Sequence, residues 1–161
     1  AIANLLNDWH VGRALLRRWA LIPYLVYVCM GLGYALIGLG RLSGNEMTSA
    51  GEHLLVVGSL GLAVLIVMAV AGRMHSGWGL DHRRWLPLGA LLFVLAALAR
   101  AGSSTPFGAA AATAGLHAAA TLWIAGWSIY LAYSLKPLSG PRPDDRGGCD
   151  EAAPMVEAAT P

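Results

Sequence analysis

The sequence contains few charged residues. Only 12% of its 161 residues are Asp, Glu, Lys or Arg, while 57% are hydrophobic and the mean hydropathy is +0.57. A soluble globular domain is about 25% charged. This shortage of charge excludes an ordinary water-soluble domain and predicts an integral membrane protein, with the lipid bilayer as a partner. The net charge of +2 gives no reason to expect nucleic acid as a partner.

Sequence motifs of soluble enzymes are also missing. The chain has no C-x-x-C motif, no phosphate-binding glycine loop and no nucleophile with a recognisable base partner. Soluble hydrolase, kinase and oxidoreductase functions therefore have no support. The two cysteines do not predict a disulfide, because Cys29 lies in an apolar run and Cys149 in a polar one. Since the first residue is Ala1, we expect the chain to be part of a longer polypeptide.

The longest apolar run covers residues 54–72 and contains no charge and no histidine. As a helix rising about 1.5 Å per residue, it is long enough to cross a hydrocarbon core of about 30 Å. His53 and His75 flank it, about 33 Å apart along such a helix, so they cannot ligate the same small metal centre. Glycines and alanines within the run allow other helices to approach closely. We predict that this helix lies inside a bundle.

Three more stretches are apolar enough to span a membrane, so the sequence predicts an all-α membrane protein with four transmembrane helices in a bundle. The predicted helices cover residues 20–40, 54–72, 85–99 and 109–134. They belong to one transmembrane domain, residues 1–137. Residues 1–19 predict either an amphipathic helix at the membrane interface or an ordinary connecting segment. Residues 42–51 predict a polar loop, and residues 138–161 are predicted to be disordered.

The positive charges predict how the helices are oriented. With four spans, nine of the eleven Lys and Arg residues lie on the side shared by the N-terminus, the 73–84 connection and the C-terminal tail. Only Arg41 and Arg100 lie on the other side, and Arg100 is expected to extend its guanidinium outward to the membrane surface. Because loops rich in Lys and Arg stay in the cytoplasm, both termini of this segment are predicted to be cytoplasmic.

Histidines are the first candidates for chemistry, because imidazole ligates haem iron, copper and zinc. His53 stands beside Glu52 at a predicted helix start, which also suits an ordinary interfacial polar residue. His117 lies among small residues in the fourth span, at a depth close to that of His53. The two histidines could face one planar ligand, or His117 could simply form a hydrogen bond with a neighbouring helix.

A second set of candidate ligands lies at the opposite end of the central helix. Met74, His75 and His82 supply one thioether and two imidazoles, which suits copper. Their spacing is not a recognised metal-site spacing, and His82 beside Arg83 and Arg84 also suits a lipid headgroup contact. Four aromatic residues at helical spacing in the fourth span predict a packing face or an interfacial belt rather than a cofactor site: Trp123, Trp127, Tyr130 and Tyr133.

The order of these residues resembles the signature of the NnrS family. In that signature a histidine near a helix start is followed by V-G-x-x-G, a V-M pair and H-T-G. The matching residues here are His53, Val57-Gly58, Gly61, Val67-Met68 and His75-Ser76-Gly77. The segment PRPDDRGG, residues 141–148, is similar to the P-R-x-D-G-R-P-G ending of the family. The resemblance extends from about residue 13 to residue 148 and is most specific between His53 and Gly77.

The resemblance implies a function. Family members are larger polytopic proteins of the bacterial inner membrane that bind haem and copper and act in responses to nitric oxide, often beside denitrification genes. This chain would then be a C-terminal third, with the remaining transmembrane helices of the full-length protein as its partners. His53 and His75 would take the places of the two motif histidines, and haem b and copper would be the cofactors.

The chain also departs from the family pattern. The family usually has an arginine where Val70 and Trp78 stand here, and a glycine where Met74 stands. If those arginines hold haem propionates or a headgroup, Arg73 is the residue that could take over the role. A non-catalytic alternative stays open, in which this segment serves packing or assembly and the metal sites lie elsewhere in the protein.

Overall fold

The protein is built from four long helices, as seen in a computed structural model that describes residues 18–105 and 110–146. The helices are α1 (Arg18–Ser43), α2 (Met47–His75), α3 (Trp85–Ser103) and α4 (Ala112–Ser139). Each is long and apolar enough to cross a membrane. Within the described ranges there is no β-strand. The predicted all-α membrane fold with four spanning helices is confirmed.

The helices alternate in direction, which gives the bundle two ends. The basic end carries the α2–α3 loop (residues 76–84), the last turn of α4 and residues 140–146, whereas the far end carries the α1–α2 turn (residues 44–46) and the facing ends of α3 and α4. α1 packs mainly on α2, which is the most extensive contact between two helices, and α3 packs mainly on α4. The largest fully buried side chains come from α1, α2 and α3: Ile22, Leu62, Leu65, Leu86 and Phe93.

The second helix begins earlier than predicted. Residues 42–51 were expected to form a polar loop, but α2 starts at Met47. The reason is close packing against α1: a Cβ added to Gly51 would lie 2.5 Å from the carbonyl oxygen of Gly33. Glycine at these positions lets the two backbones meet, and this contact holds a polar, serine-containing segment in a helix.

A π-helical segment interrupts α2. Met47–His53 is α-helical, Leu54–Leu60 forms wider π-helical turns, and Gly61–His75 is α-helical again. A π-helical turn is rare and often occurs at functional sites. His53 is the last α-helical residue before this segment, so the widened turns help to set the direction in which its side chain points.

The fourth helix and the chain after it extend the folded region. α4 continues to Ser139, and Arg142 then donates a hydrogen bond to the His75 carbonyl oxygen at 2.8 Å. The predicted start of the disordered tail at residue 138 is therefore corrected, because the first tail residues find polar partners at the end of α2. Residues 1–17, which include most of the predicted interfacial segment, and residues 147–161 lie outside the described residues.

Candidate functional site

A cleft of about 330 Å³ opens near the far end of the bundle, between α2, α3 and α4. His53 contributes its imidazole from α2, and Arg100 contributes its guanidinium from the last turn of α3. The remaining lining is apolar: Val57, Leu116, Ala119, Ala120 and Trp123. Both polar residues are half-buried. The cleft therefore combines one metal-ligating side chain and one permanent positive charge with apolar walls.

Two serines hold the Arg100 side chain. Nη1 of Arg100 donates to the Ser104 hydroxyl at 2.6 Å and more weakly to the Ser103 hydroxyl at 3.4 Å. Both hydroxyls in turn donate to the Arg100 carbonyl oxygen. Arginine has five N–H donors, so this arrangement fixes the guanidinium while Nε and Nη2 form no hydrogen bond within the described ranges. The sequence predicted only that Arg100 points outward, whereas here it lines the cleft beside His53.

The apolar wall of the cleft rests on an aromatic cluster. The Trp123 ring packs on Phe93, with ring centroids 4.6 Å apart, and Phe93 also meets Trp127 edge to face at 5.2 Å. A Cβ added to Gly61 would lie 2.6 Å from the Trp123 ring, so the absence of a side chain at Gly61 lets the indole settle on α2. The aromatic residues of α4 therefore form a packing face, one of the two roles that their spacing predicted.

His117 lies beside this cleft but does not line it. Leu116 and Ala119 of α4 face the cleft, whereas the His117 side chain is exposed. One residue along a helix corresponds to a rotation of about 100°, which turns His117 away from its neighbour's direction. The depth of a residue in the membrane does not fix the direction of its side chain around the helix axis, so similar depths do not bring His53 and His117 to one ligand. The ligand role of His117 stays a prediction.

The basic end is organised around a buried carboxylate, Asp81, which is only 5% exposed. Arg83 donates to both of its oxygens, with its Nη2 2.6 Å from Oδ2. Trp85 donates its Nε1–H at 2.8 Å, and Nη1 of Arg73 lies 3.5 Å away. The side-chain hydrogen bonds from Arg83 hold the pKa of Asp81 well below its usual range. The same contact raises the pKa of Arg83.

A second buried charge, Arg73, stands beside this carboxylate. Its Nε donates to the Gly79 carbonyl oxygen at 2.9 Å, and its guanidinium lies 5.8 Å from the Trp78 ring centroid. Nη1 of Arg73 and Nε1 of Trp78 are buried and have no hydrogen-bond partner among the described residues. The sequence shows Asp81 among several residues of this connection that could carry function, but it assigns Asp81 no role of its own. In the sequence, the sign of this role is that Asp81 is a single acidic residue between Arg73 and the pair Arg83 and Arg84.

The predicted metal ligands at this end are placed at the surface. Met74 and His75 are exposed in the last turn of α2, and the exposed His82 meets the Trp19 ring edge to face at 6.3 Å. In the part of the chain that the structure describes, no three His, Cys, Asp or Glu side chains come together in a way that could hold a metal ion. The metal site assigned to Met74, His75 and His82, and to His53, therefore stays a prediction.

The chain after α4 forms a strap, residues 140–146, across the end of α2. Arg142 donates through Nε and Nη2 to the Asp144 carboxylate at 2.8 and 2.7 Å and through Nη1 to the His75 carbonyl oxygen. Hydrogen bonds from Arg142 lower the pKa of Asp144 to about 2. Gly77 has a φ of +73°, and a Cβ there would lie 2.7 Å from Oδ1 of Asp144. Two motifs that are distant in sequence, H-S-G and P-R-P-D, thus form one contact.

Comparison with known proteins gives one match. The model of the NnrS family, described as NnrS protein, matches residues 1–142, which is most of the chain. No curated protein and no solved structure matches the sequence. The matched region includes all four spanning helices, the His53 cleft and the residues of the strap as far as Arg142. The chain belongs to the NnrS family.

Proposed function

We propose that this chain is part of a haem-binding, multi-pass protein of the bacterial inner membrane that acts in the response to nitric oxide or in denitrification. Family membership and the four spanning helices support the setting. The observation that carries the proposal is the far-end cleft, in which His53 and Arg100 share an otherwise apolar pocket. The excess of Lys and Arg at the basic end supports a cytoplasmic location for that end and for both termini of the segment.

The residues of the cleft suit one side of a haem. A haem needs an imidazole for its iron, apolar walls for its ring and a cation for its propionates. His53, Trp123 and Arg100 offer these three functions. The small side chains of Ala119 and Ala120 leave room for a planar ring. The volume of about 330 Å³ is at the lower end of ligand sites, so the cleft encloses only part of a haem.

Within this proposal the chain's own residues have distinct tasks. His53 would hold the iron, Arg100 would orient the group by pairing with a carboxylate, and Trp123 would exclude water from the ring. When bound, the haem iron supplies the site at which a diatomic gas can bind. The copper site stays a prediction, since no group of three His, Cys, Asp or Glu side chains that could hold a metal ion comes together among the described residues. The proposal therefore contains no step that uses copper.

Absorption spectroscopy of the purified full-length protein tests the haem assignment. We expect a Soret band in the wild-type protein, its loss or displacement in His53→Ala, and weaker haem retention in Arg100→Leu. His117→Ala is the matched control, because this histidine lies at a similar depth but does not line the cleft. A wild-type protein without a Soret band, or an unchanged spectrum for His53→Ala, would rule out the assignment. Loss of the band in His117→Ala instead would support the bis-histidine pairing.

A second candidate function is a packing or assembly segment without its own cofactor. The exposure of His75 and His117 and the shallowness of the cleft favour it. In this case replacing His53, His75 and His117 one at a time would leave the iron and copper content of the full-length protein unchanged. A loss of iron confined to His53→Ala would decide for the haem site.

A further inference from the structure

A pocket of about 490 Å³ lies at the basic end, between the α2–α3 loop and the last turns of α4. It is distinct from the His53 cleft, which is near the opposite end of the same bundle. Its lining is mostly polar or aromatic and includes Arg73, Trp78, Asp81, Arg83, Tyr133 and Lys136. Its size and polarity suit a small polar group rather than an apolar ligand.

The pocket has an excess of positive charge. Arg73, Arg83 and Lys136 bring three positive charges and Asp81 brings one negative charge, which leaves a net charge of +2 with His82 neutral. The Asp81 carboxylate is already bound by the Arg83 guanidinium and by Trp85. Arg73, which is buried, lies 3.5 Å from the same carboxylate, so Asp81 compensates only part of the charge of its two arginines, and Lys136 adds a further charge that is exposed at the rim. An anion is the ligand that such a pocket favours.

Two buried N–H donors of the pocket residues form no hydrogen bond within the described ranges, although Nη1 of Arg73 lies 3.5 Å from Oδ2 of Asp81. Nη1 of Arg73 and Nε1 of Trp78 have no hydrogen-bond partner among the described residues, and the Arg73 side chain is only 10% exposed. Unpaired buried donors are rare in folded proteins, and a bound ion or water is a common reason for them. An oxyanion would supply acceptors to donors from both residues.

The surroundings favour a lipid as the source of the anion. The pocket lies where the spanning helices end, which is at the membrane surface. Next to the pocket residues of α4, Leu131 and Leu135 are 55% and 63% exposed and provide an apolar surface that leads along the helix into the membrane. A phospholipid can use the pocket with its phosphate and this surface with its acyl chains, whereas a free anion can use only the pocket. Basic pockets between spanning helices are typical sites for anionic headgroups.

We propose that this pocket binds the phosphate group of an anionic phospholipid. Arg73 and Lys136 provide the charge, Trp78 provides a hydrogen-bond donor, and Tyr133 forms part of the wall. Arg83 stays with Asp81 and keeps the loop in place. The proposal does not rest on haem binding, because none of these residues lines the His53 cleft.

Native mass spectrometry of the delipidated full-length protein tests the proposal, with phosphatidylglycerol, phosphatidylcholine and inorganic phosphate as the three probes. We expect phosphatidylglycerol to bind in preference to phosphatidylcholine. Removing one surface charge in Lys136→Gln should weaken that binding about five-fold. Removing one donor to a charged acceptor in Trp78→Phe, which keeps an aromatic ring, should weaken it about ten-fold.

The matched control is Arg84→Gln. Arg84 carries the same charge in the same loop and is exposed, but it does not line the pocket. Unchanged lipid binding by this variant supports a specific site. An equal loss in Arg84→Gln and Lys136→Gln would show attraction to surface charge in general and would overturn the proposal. Equal binding of the two lipids, or displacement of the lipid by millimolar inorganic phosphate, would also overturn it.

Discussion

The two ends of the bundle use their polar side chains in different ways. At the basic end, Asp81 is surrounded by Arg83, Trp85 and Arg73, and Arg142 pairs with Asp144. At the far end, His53 and Arg100 line a cleft, and neither has a carboxylate within ion-pair distance among the described residues. Polar groups at the basic end mainly stabilise the loop and the strap. Those at the far end remain available to a ligand.

This contrast indicates where stability and function reside. A buried ion pair needs all of its partners, since removing one leaves the other charge buried without compensation. Removing a half-buried imidazole from an apolar cleft leaves no buried charge without compensation, so this change should affect ligand binding more than folding. Substitutions at the two ends should therefore separate effects on stability from effects on ligand binding.

Asp81→Asn should have the largest effect on stability. It removes the negative charge beside the buried Arg73, and breaking a buried pair of this kind costs about 3–5 kcal/mol. Thermal unfolding of the purified protein in detergent measures the loss. Asp145→Asn is the control, because Asp145 is exposed and has a φ of 54°, which asparagine tolerates. Equal stability of Asp81→Asn and wild type would show that the basic end does not stabilise the fold.

Gly61→Ala should have the next largest effect. The new methyl group would lie 2.6 Å from the Trp123 ring and 2.9 Å from Phe93, and overpacking of this kind costs about 1–3 kcal/mol. Because Trp123 lines the far-end cleft, haem retention should fall together with the unfolding temperature. Gly38→Ala provides the control, since a Cβ there meets nothing within 4 Å. If ligand retention stays constant while stability falls, the Trp123 wall is not part of the site.

Gly77→Ala should loosen the strap. Both Gly77 and Gly44 have a positive φ, +73° and +66°, where a non-glycine residue costs about 1–2 kcal/mol. Only at Gly77 does the new Cβ also collide with Asp144; at Gly44 it meets nothing within 4 Å. Hydrogen exchange in residues 140–146 should therefore rise in Gly77→Ala but not in Gly44→Ala. A similar rise in both variants would mean that the strap does not depend on the Asp144 contact.

Acid should also release the strap, and this is the smallest of the four expected effects. Hydrogen bonds from Arg142 lower the pKa of Asp144 to about 2, compared with about 3.9 in an unfolded chain. A carboxylate whose pKa is lowered on folding stabilises the folded state above its unfolded pKa, and this contribution is lost as the pH falls towards the folded pKa. The protection factors of the amides in residues 140–146, which correct for the intrinsic dependence of exchange on pH, should be constant above about pH 5 and fall between about pH 4 and pH 2. An unchanged rate in Asp144→Asn at neutral pH would contradict this account.

The sequence predicted the number and type of the helices because long apolar runs report directly on membrane spans. It placed most helix boundaries too far inside. At the start of α2 the reason is the contact between Gly33 and Gly51, which holds polar residues in a helix and which no local pattern reveals. His53 was identified by its position at the end of an apolar run. Its neighbour Arg100 was missed as a lining residue, because sequence gives the depth of a residue but not its rotation around the helix axis.

The same limit explains the histidine pair and the basic end. The depth of His117 agrees with that of His53, yet the side chain of Leu116, one residue earlier, is the one that faces the cleft. The importance of Asp81 could not be read from its spacing, because its three partners lie at different distances along the chain and meet only when the loop closes. The contact of Arg142 with His75 joins residues 67 positions apart, far beyond any local periodicity.

The π-helical segment Leu54–Leu60 sets the rotation of His53 relative to Gly61–His75. A regular α-helix turns about 100° per residue, and a wide turn accommodates one additional residue without breaking the helix. A single-codon deletion in this stretch would restore regular winding and swing Met47–His53 by about 100° relative to Gly61–His75. The His53 imidazole would then turn away from Arg100, while the side chains of Gly61–His75 kept their neighbours. The cleft therefore depends on the winding of residues 54–60 as well as on the side chains that line it.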